Sequence, residues 1–148
     1  MTRRFSASWI FPLHAPPLKN GIVEVDDQGV IVSLTDTGGS LTEMERLEHH
    51  SGIITPGFIN THCHLELSHL YGVIPPREGL SAFLGGISQL RTAPEEVILQ
   101  AAIKADRDMF LRGISATGDV SNSAVTVTVK QNSPIRYFTF VESFGFHP

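Results

Sequence analysis

The residues with the clearest chemical potential are two histidines, His62 and His64, which stand two positions apart. They follow the apolar pair Phe58 and Ile59, which predicts a short β-strand. In a strand, side chains at i and i+2 project from the same face, with their Cα atoms about 6.6 Å apart. Two imidazoles at that spacing can bind one ion, with typical Zn–N distances of about 2.0–2.1 Å. The pair predicts two ligands of a metal site, although an isolated His-x-His pair is more often structural.

The first fifty residues have the pattern of short strands separated by tight turns. Alternating or apolar runs predict strands over residues 6–11, 22–25 and 30–34. Between the first two, Lys19-Asn20-Gly21 is typical of a hairpin turn, because Asn-Gly accepts positive φ. We therefore expect a small antiparallel β domain over residues 1–52.

From residue 53 onward, strand-like and helical patterns alternate. The strand that runs into His62 is followed by predicted helices over residues 80–90 and from Thr92 to Gly113, with Thr92 and Glu95 as a capping box. Residues 114–120 and 135–142 predict two further strands. The segment 122–132 is ambiguous, and its position between strands favours a helix. This order predicts βαβ units around a parallel sheet, in a second domain over residues 53–148.

Composition excludes several classes of protein. The net charge is −4 and the basic residues are scattered, so no nucleic-acid surface is indicated. No apolar run approaches the roughly 20 residues of a membrane helix. The single cysteine, Cys63, cannot form an internal disulfide, which makes a reducing cytoplasm the expected compartment. Homo-oligomerisation is left open.

The surroundings of the two histidines resemble a known family. The segment PGFINTHCH, from Pro56 to His64, resembles the signature of the amidohydrolase superfamily: Pro-Gly, an apolar pair, Asp or Asn, one spacer, then His-x-His. The continuation LELS, residues 65–68, resembles the deaminase and chlorohydrolase branch, including aminodeoxyfutalosine deaminase-like proteins. Residues 113–119 resemble the second barrel strand of that family.

The resemblance implies an α/β fold: a small β-sandwich segment followed by the first three β/α units of a truncated TIM (β/α)₈ barrel. It implies one divalent metal, zinc or alternatively iron, bound in part by His62 and His64. The implied reaction is deamination, in which metal-activated water hydrolyses a C–N bond of a small heterocyclic or nucleoside-like substrate. Family members add a later histidine and an aspartate as ligands, and a glutamate or histidine that moves protons.

The sequence departs from the family pattern after the strand predicted over residues 114–120. No aspartate follows Asp119, and His147 is the one histidine after His69, so a third ligand is left open there. A complete barrel typically needs about 250 residues. We expect the chain alone to be inactive, with unpaired strand edges and an exposed apolar face. The alternatives are an amidase or chlorohydrolase of the same superfamily, or a non-catalytic remnant that acts only with a partner.

Four further residues are candidates for the site. Glu66 is a candidate catalytic or proton-relay group, against the alternative of a solvated loop carboxylate. His69, Asp119 and Glu142 are candidates for substrate binding; an ordinary loop histidine, helix capping or surface ion pairs are the alternatives. Cys63 is interpreted as a small apolar group packed outside the barrel. The aromatic residues expected in the core are Trp9, Phe11, Phe138, Phe140, Phe144 and Phe146.

Overall fold

The computed structural model describes residues 2–75 and 79–143. The chain divides into two compact units, the first ending at Pro56 and the second beginning at Gly57. Ile53 and Ile54 end the last strand of the first unit, where they pair with Trp9 and Ile10.

The first unit is built on one five-stranded sheet. Its strands are β1 (Arg3–Ile10), β2 (Leu18–Lys19), β3 (Ile22–Val25), β4 (Ile31–Thr35) and β5 (Leu47–Ile54). The central strand β1 pairs antiparallel with β2 and β3 and parallel with β5, while β4 pairs antiparallel with β3. The buried residues Ala7, Ile10, Ile22 and Val23 form its core. The predicted β-rich first part is confirmed, whereas a sandwich would need a second sheet, which the described residues of this unit do not contain.

The turn at Asn20 differs from its prediction in one respect. Asn20 has the expected positive φ of 52°. However, β2 and β3 both pair with β1 and not with each other, so Asn20 bends a strand along β1 instead of closing a hairpin. The predicted hairpin was wrong because local turn chemistry does not determine which strand the flanking residues pair with.

The second unit alternates strands and helices in the predicted order. Its elements are β6 (Phe58–Cys63), a 3₁₀ helix (Leu65–Leu70), α1 (Gly79–Leu90), α2 (Glu95–Leu111), β7 (Ile114–Ser121), α3 (Val127–Asn132) and β8 (Arg136–Val141). The strands lie in the order β6-β7-β8, and both pairings are parallel. The mixed α/β architecture with a parallel sheet is therefore confirmed; its membership of a closed barrel stays a prediction.

Helix α2 covers one face of this sheet. Ala102 is fully buried and clusters with Leu65 and Val129. Gly113 follows the helix with φ 84°, a left-handed conformation that glycine adopts without strain. The predicted capping box was wrong: the residue that caps α2 is Pro94, which makes no side-chain cap, so Thr92 lies too far upstream to act.

The opposite face of the parallel sheet is open. Ile59, Phe138 and Phe140 are 67%, 67% and 51% exposed, and the centres of the two phenylalanine rings are 4.9 Å apart. The core positions predicted for Phe138, Phe140 and Trp9 were wrong, because no described element covers these side chains. Phe11 is half-buried. Phe144 and Phe146 lie outside the described residues. Within the described ranges, no helix is long and apolar enough to cross a membrane.

Candidate metal centre

His62 and His64 lie at the carboxyl end of β6. Between them, Cys63 turns toward the helix-covered face, where its Sγ is 3.6 Å from Thr117 Oγ1 and 3.5 Å from Asp119 Oδ1. Because neighbouring side chains of an extended chain alternate, the histidines project from the other face. Their ring centres are 5.0 Å apart, with 77° between the ring planes. The predicted strand and the close approach of the two imidazoles are both present.

A local irregularity in β6 sets the direction of His62. The pairing of β6 with β7 shifts register between Asn60 and Cys63. Across this bend, the His62 backbone N–H donates to Asn60 Oδ1 at 3.4 Å. The neighbouring strand has a glycine, Gly118, beside this bend. Any larger residue would clash there, because its Cβ would lie only 2.7 Å from the carbonyl oxygen of Thr61. The amide at position 60 thus supports the backbone of the first histidine.

The geometry of the pair can be compared with that of a bound metal ion. Imidazoles that bind Zn²⁺ at about 2.0–2.1 Å and at a tetrahedral angle have ring centres roughly 5 Å apart. The observed separation of 5.0 Å fits that requirement for two ligands. The described residues contain no group of three or more His, Cys, Asp or Glu side chains that could hold an ion. His147, the candidate third ligand, lies outside them. The pair supplies two of the three protein ligands that a catalytic zinc site uses together with water.

Cys63 is unsuited to act as a ligand or nucleophile. Burial raises the pKa of its thiol to about 11, and the neighbouring Asp119 carboxylate contributes to the rise. The thiol therefore stays protonated at neutral pH. It is inert there, because only the thiolate binds metal or acts as a nucleophile. This agrees with its interpretation as a small apolar group on the outer side of the strand.

Glu66 is buried, with 4% of its surface exposed. Its Oε2 accepts hydrogen bonds from the Ser123 backbone N–H at 2.9 Å, Ser123 Oγ at 2.8 Å and Ser121 Oγ at 3.1 Å. Arg91 forms an ion pair with its Oε1 at 3.6 Å. The alternative of a solvated loop carboxylate is therefore wrong, because the loop after β7 folds over the side chain and supplies its donors.

Asp119 is fully buried on the helix-covered face. Its Oδ1 accepts the Leu65 backbone N–H at 2.8 Å, and its Oδ2 forms an ion pair with Lys130 of α3. The carboxylate of this candidate substrate-binding residue is therefore engaged within the protein interior.

The other two candidates form hydrogen bonds with residues other than the histidine pair. The N–H at Nδ1 of His69 donates to the carbonyl oxygen of Glu66 at 3.1 Å, because a carbonyl oxygen can only accept. Its buried Nε2 has no hydrogen-bond partner within residues 2–75 and 79–143. Glu142 is exposed just after β8 and accepts from Asn122 Nδ2 at 3.5 Å. Neither side chain is hydrogen-bonded to His62 or His64 in the described part of the chain.

Sequence reasoning did not identify Lys130 and Arg91, the cations that accompany the two buried carboxylates. A signal for Lys130 was available, since it is the only charged residue between Asp119 and Arg136. No comparable signal distinguished Arg91.

The fold was compared with solved structures. Helicobacter pylori aminofutalosine deaminase in complex with methylthio-coformycin matches 99% of this chain with a TM-score of 0.78 and 22% identity. Guanine deaminase from C. acetobutylicum with bound guanine matches 94%, with a TM-score of 0.71 and 16% identity. Atrazine chlorohydrolase from Arthrobacter aurescens TC1, complexed with zinc, matches 92%, with a TM-score of 0.71 and 20% identity. Over the matched residues, the chain has the fold of these enzymes.

The amidohydrolase resemblance predicted from residues 56–68 is thus confirmed at the level of the fold. The chain spans about a third of the length of these structures, between 34% and 36%. No protein-family model and no curated protein sequence matches the chain.

Proposed function

We propose that the chain is part of a metal-dependent aminohydrolase that hydrolyses a C–N bond of a small heterocyclic or nucleoside-like substrate. The observation that carries this proposal is the histidine pair: two imidazoles, 5.0 Å apart at the end of a parallel strand, in an amidohydrolase fold. The metal would be zinc, with iron as the alternative. An ion held by His62 and His64 would lower the pKa of bound water to about 7 and so would supply a nucleophile at neutral pH.

The chain's own residues have separate tasks in this proposal. His62 and His64 bind the ion, and Asn60 holds the backbone of His62 through its side-chain oxygen. Cys63 stays protonated on the far side of the strand and is not a ligand. Because the described residues offer two ligands of the three a catalytic site needs, we expect the chain alone not to turn over substrate.

Metal binding is the first test. The chain is purified, loaded with Zn²⁺, passed through a desalting column and analysed for metal by mass spectrometry. We expect bound metal that is lost in the double variant His62→Ala/His64→Ala. The matched control is His49→Ala/His50→Ala, which removes two exposed adjacent histidines whose side chains point to opposite faces of β5. No metal above background in the unsubstituted chain, or equal loss in both variants, would contradict the proposal.

A chlorohydrolase is a second candidate, favoured by the fold similarity to the zinc-complexed atrazine enzyme. The two reactions release different products, so they separate cleanly in one assay. The chain, and any longer open reading frame that contains it, is incubated with heterocyclic amines and with chlorotriazines. Deamination predicts ammonia from the amines; chloride release without ammonia would favour the second candidate.

A further inference from the structure

Two buried carboxylates link the segment that follows His64 to the end of β7. Asp119, on β7, accepts the backbone N–H of Leu65 at 2.8 Å. Glu66, in the 3₁₀ helix, accepts the backbone N–H of Ser123 at 2.9 Å, beyond the end of β7. Each segment therefore contributes a carboxylate that binds the backbone of the other. We call Glu66, Asp119 and these two backbone groups the carboxylate clamp.

Both carboxylates of the clamp have a cation beside them. Lys130 forms an ion pair with Asp119, and these side chains are 9% and 0% exposed. Arg91 lies 3.6 Å from Glu66, whose side chain is 4% exposed. A buried carboxylate is stable only when it is paired and hydrogen-bonded. Both conditions hold here, so the clamp is a fixed structural connection between residues more than fifty positions apart.

The clamp acts where the chain leaves β6. His64 is the residue immediately before Leu65 and caps the 3₁₀ helix without a side-chain hydrogen bond of its own. The N–H that Asp119 accepts belongs to the peptide bond joining His64 to Leu65. Holding that peptide limits the backbone rotation that would move the His64 ring away from His62. Neither carboxylate is hydrogen-bonded to an imidazole in the described ranges, so their influence passes through the backbone.

We propose that Glu66 and Asp119 are positioning residues that keep the His62 and His64 rings at the separation a shared metal ion requires. The inference rests on the proposed function, and it gives both carboxylates a role other than contact with substrate. It predicts that loosening the clamp changes the metal site without removing a ligand.

Metal-free protein gives the first readout. Hydrogen exchange of backbone amides is compared among the unsubstituted chain, Glu66→Ala, and Asp108→Ala, which removes an exposed acid paired with Lys104. In Glu66→Ala we expect residues 64–70 and the Ser123 amide to exchange at least about tenfold faster, because the hydrogen bonds from Ser121 and Ser123 that hold the 3₁₀ helix to the loop after β7 are lost. The amides of β1 to β5 should keep their rates, as should all amides in Asp108→Ala.

Cobalt gives the second readout, which a general loss of stability would not produce. Co²⁺ is titrated into each protein and followed by its visible absorption and by broadening of the imidazole NMR signals. We expect Glu66→Ala to bind Co²⁺ about 10- to 100-fold more weakly, the range for residues that orient ligands, with altered absorption bands at saturation. Glu66→Gln should recover part of the affinity, because its amide oxygen can still accept from Ser123.

The outcomes separate this inference from the proposed function. Unchanged exchange over residues 64–70, or unchanged Co²⁺ affinity and spectrum in Glu66→Ala, would overturn the positioning role. Absence of Co²⁺ binding in the unsubstituted chain counts against the proposed function; exchange and the imidazole signals of metal-free His62 and His64 then decide the clamp. Where Glu66→Ala does not fold, Glu66→Leu, which has a similar side-chain volume but cannot accept a hydrogen bond, provides the same two readouts.

Discussion

The two faces of the parallel sheet β6-β7-β8 differ in a way that hydropathy alone would not suggest. On the helix-covered face, the polar residues Thr117, Asp119 and Ser121 alternate along β7 and are at most 4% exposed. On the open face, Phe138 and Phe140 are more than half exposed. The covered face tolerates polar groups because each has a hydrogen-bond or ion-pair partner. Burial in this unit therefore follows pairing as much as apolar character.

The largest effect on stability is expected when the cation is removed from the covered face. Lys130→Met leaves Asp119 buried without its ion-pair partner, and we expect the second unit to lose about 3–5 kcal/mol of unfolding free energy. Urea unfolding followed by NMR signals of β7 measures the loss. The fluorescence of Trp9, the single tryptophan, reports the first unit, which should be unaffected.

The control for that variant is Lys104→Met, which removes an exposed lysine from an i,i+4 pair with Asp108. Exposed pairs of this kind contribute about 0.3–0.5 kcal/mol. If Lys130→Met were no more destabilising than Lys104→Met, the polar network would not support the covered face.

A smaller effect is expected where the covered face is pinned to α2. Tyr137 Oη donates to Asp106 Oδ1 at 2.7 Å, and Asp106 also accepts from Ser133 Oγ at 2.6 Å. Tyr137→Phe removes one bond to a charged acceptor, and we expect a loss of about 1.5–3 kcal/mol. Tyr71→Phe, at a residue 95% exposed, should leave unfolding unchanged and serves as the control.

The same phenol gives a dependence on pH. Burial, and then the hydrogen bond to Asp106, raise the pKa of Tyr137 above its ordinary range. An unfolded tyrosine ionises near pH 10, so the contribution is complete below that pH and declines above it, when only the unfolded chain releases the proton. Urea titrations at pH 8 and 10.5 should show this decline, and Tyr137→Phe should lessen it. An equal decline in both proteins would place its origin elsewhere.

The open face should respond least in stability. Phe138→Ser removes an aromatic ring that is 67% exposed, and we expect unfolding free energy to fall by no more than about 1 kcal/mol. Self-association should weaken, because exposed apolar patches promote contact between molecules. Light scattering over a range of concentrations measures it. Phe110→Ser, in α2 and 49% exposed, is the matched control; an equal decrease there would show that the sheet face has no special part.

The sequence predicted those features whose signals are local. The strands and helices of the second unit follow from periodicity over a few residues, and the histidine pair stands in a contiguous signature from Pro56 to His64. Which face of β7 is buried was harder to predict. Asp119 lies on the buried face, where its partners are Lys130, eleven residues later, and Leu65, fifty-four residues earlier. Partners at such distances leave no periodic trace.

The same reason separates the site residues that were foreseen from those that were not. For Glu66 the sequence left a catalytic group and a solvated loop carboxylate as alternatives, because its hydrogen-bond donors, Ser121 and Ser123, come from the end of a different strand. The expected core positions of Phe138 and Phe140 rested on residue type alone. Residue type indicates a preference for burial, but the covering element decides it.

The parallel pairing of β1 with β5 has a consequence for synthesis of the chain. Arg4 pairs with Leu47 and Ile10 with Ile54, so β1 lacks its second neighbour until residue 54 has left the ribosome. Until then a nascent chain can form only the antiparallel part of the sheet, with one side of its central strand offering free N–H and C=O groups to other polypeptides. Ribosome pausing after residue 35 has emerged and before residue 54 emerges would lengthen that exposure and favour mispairing with neighbouring nascent chains.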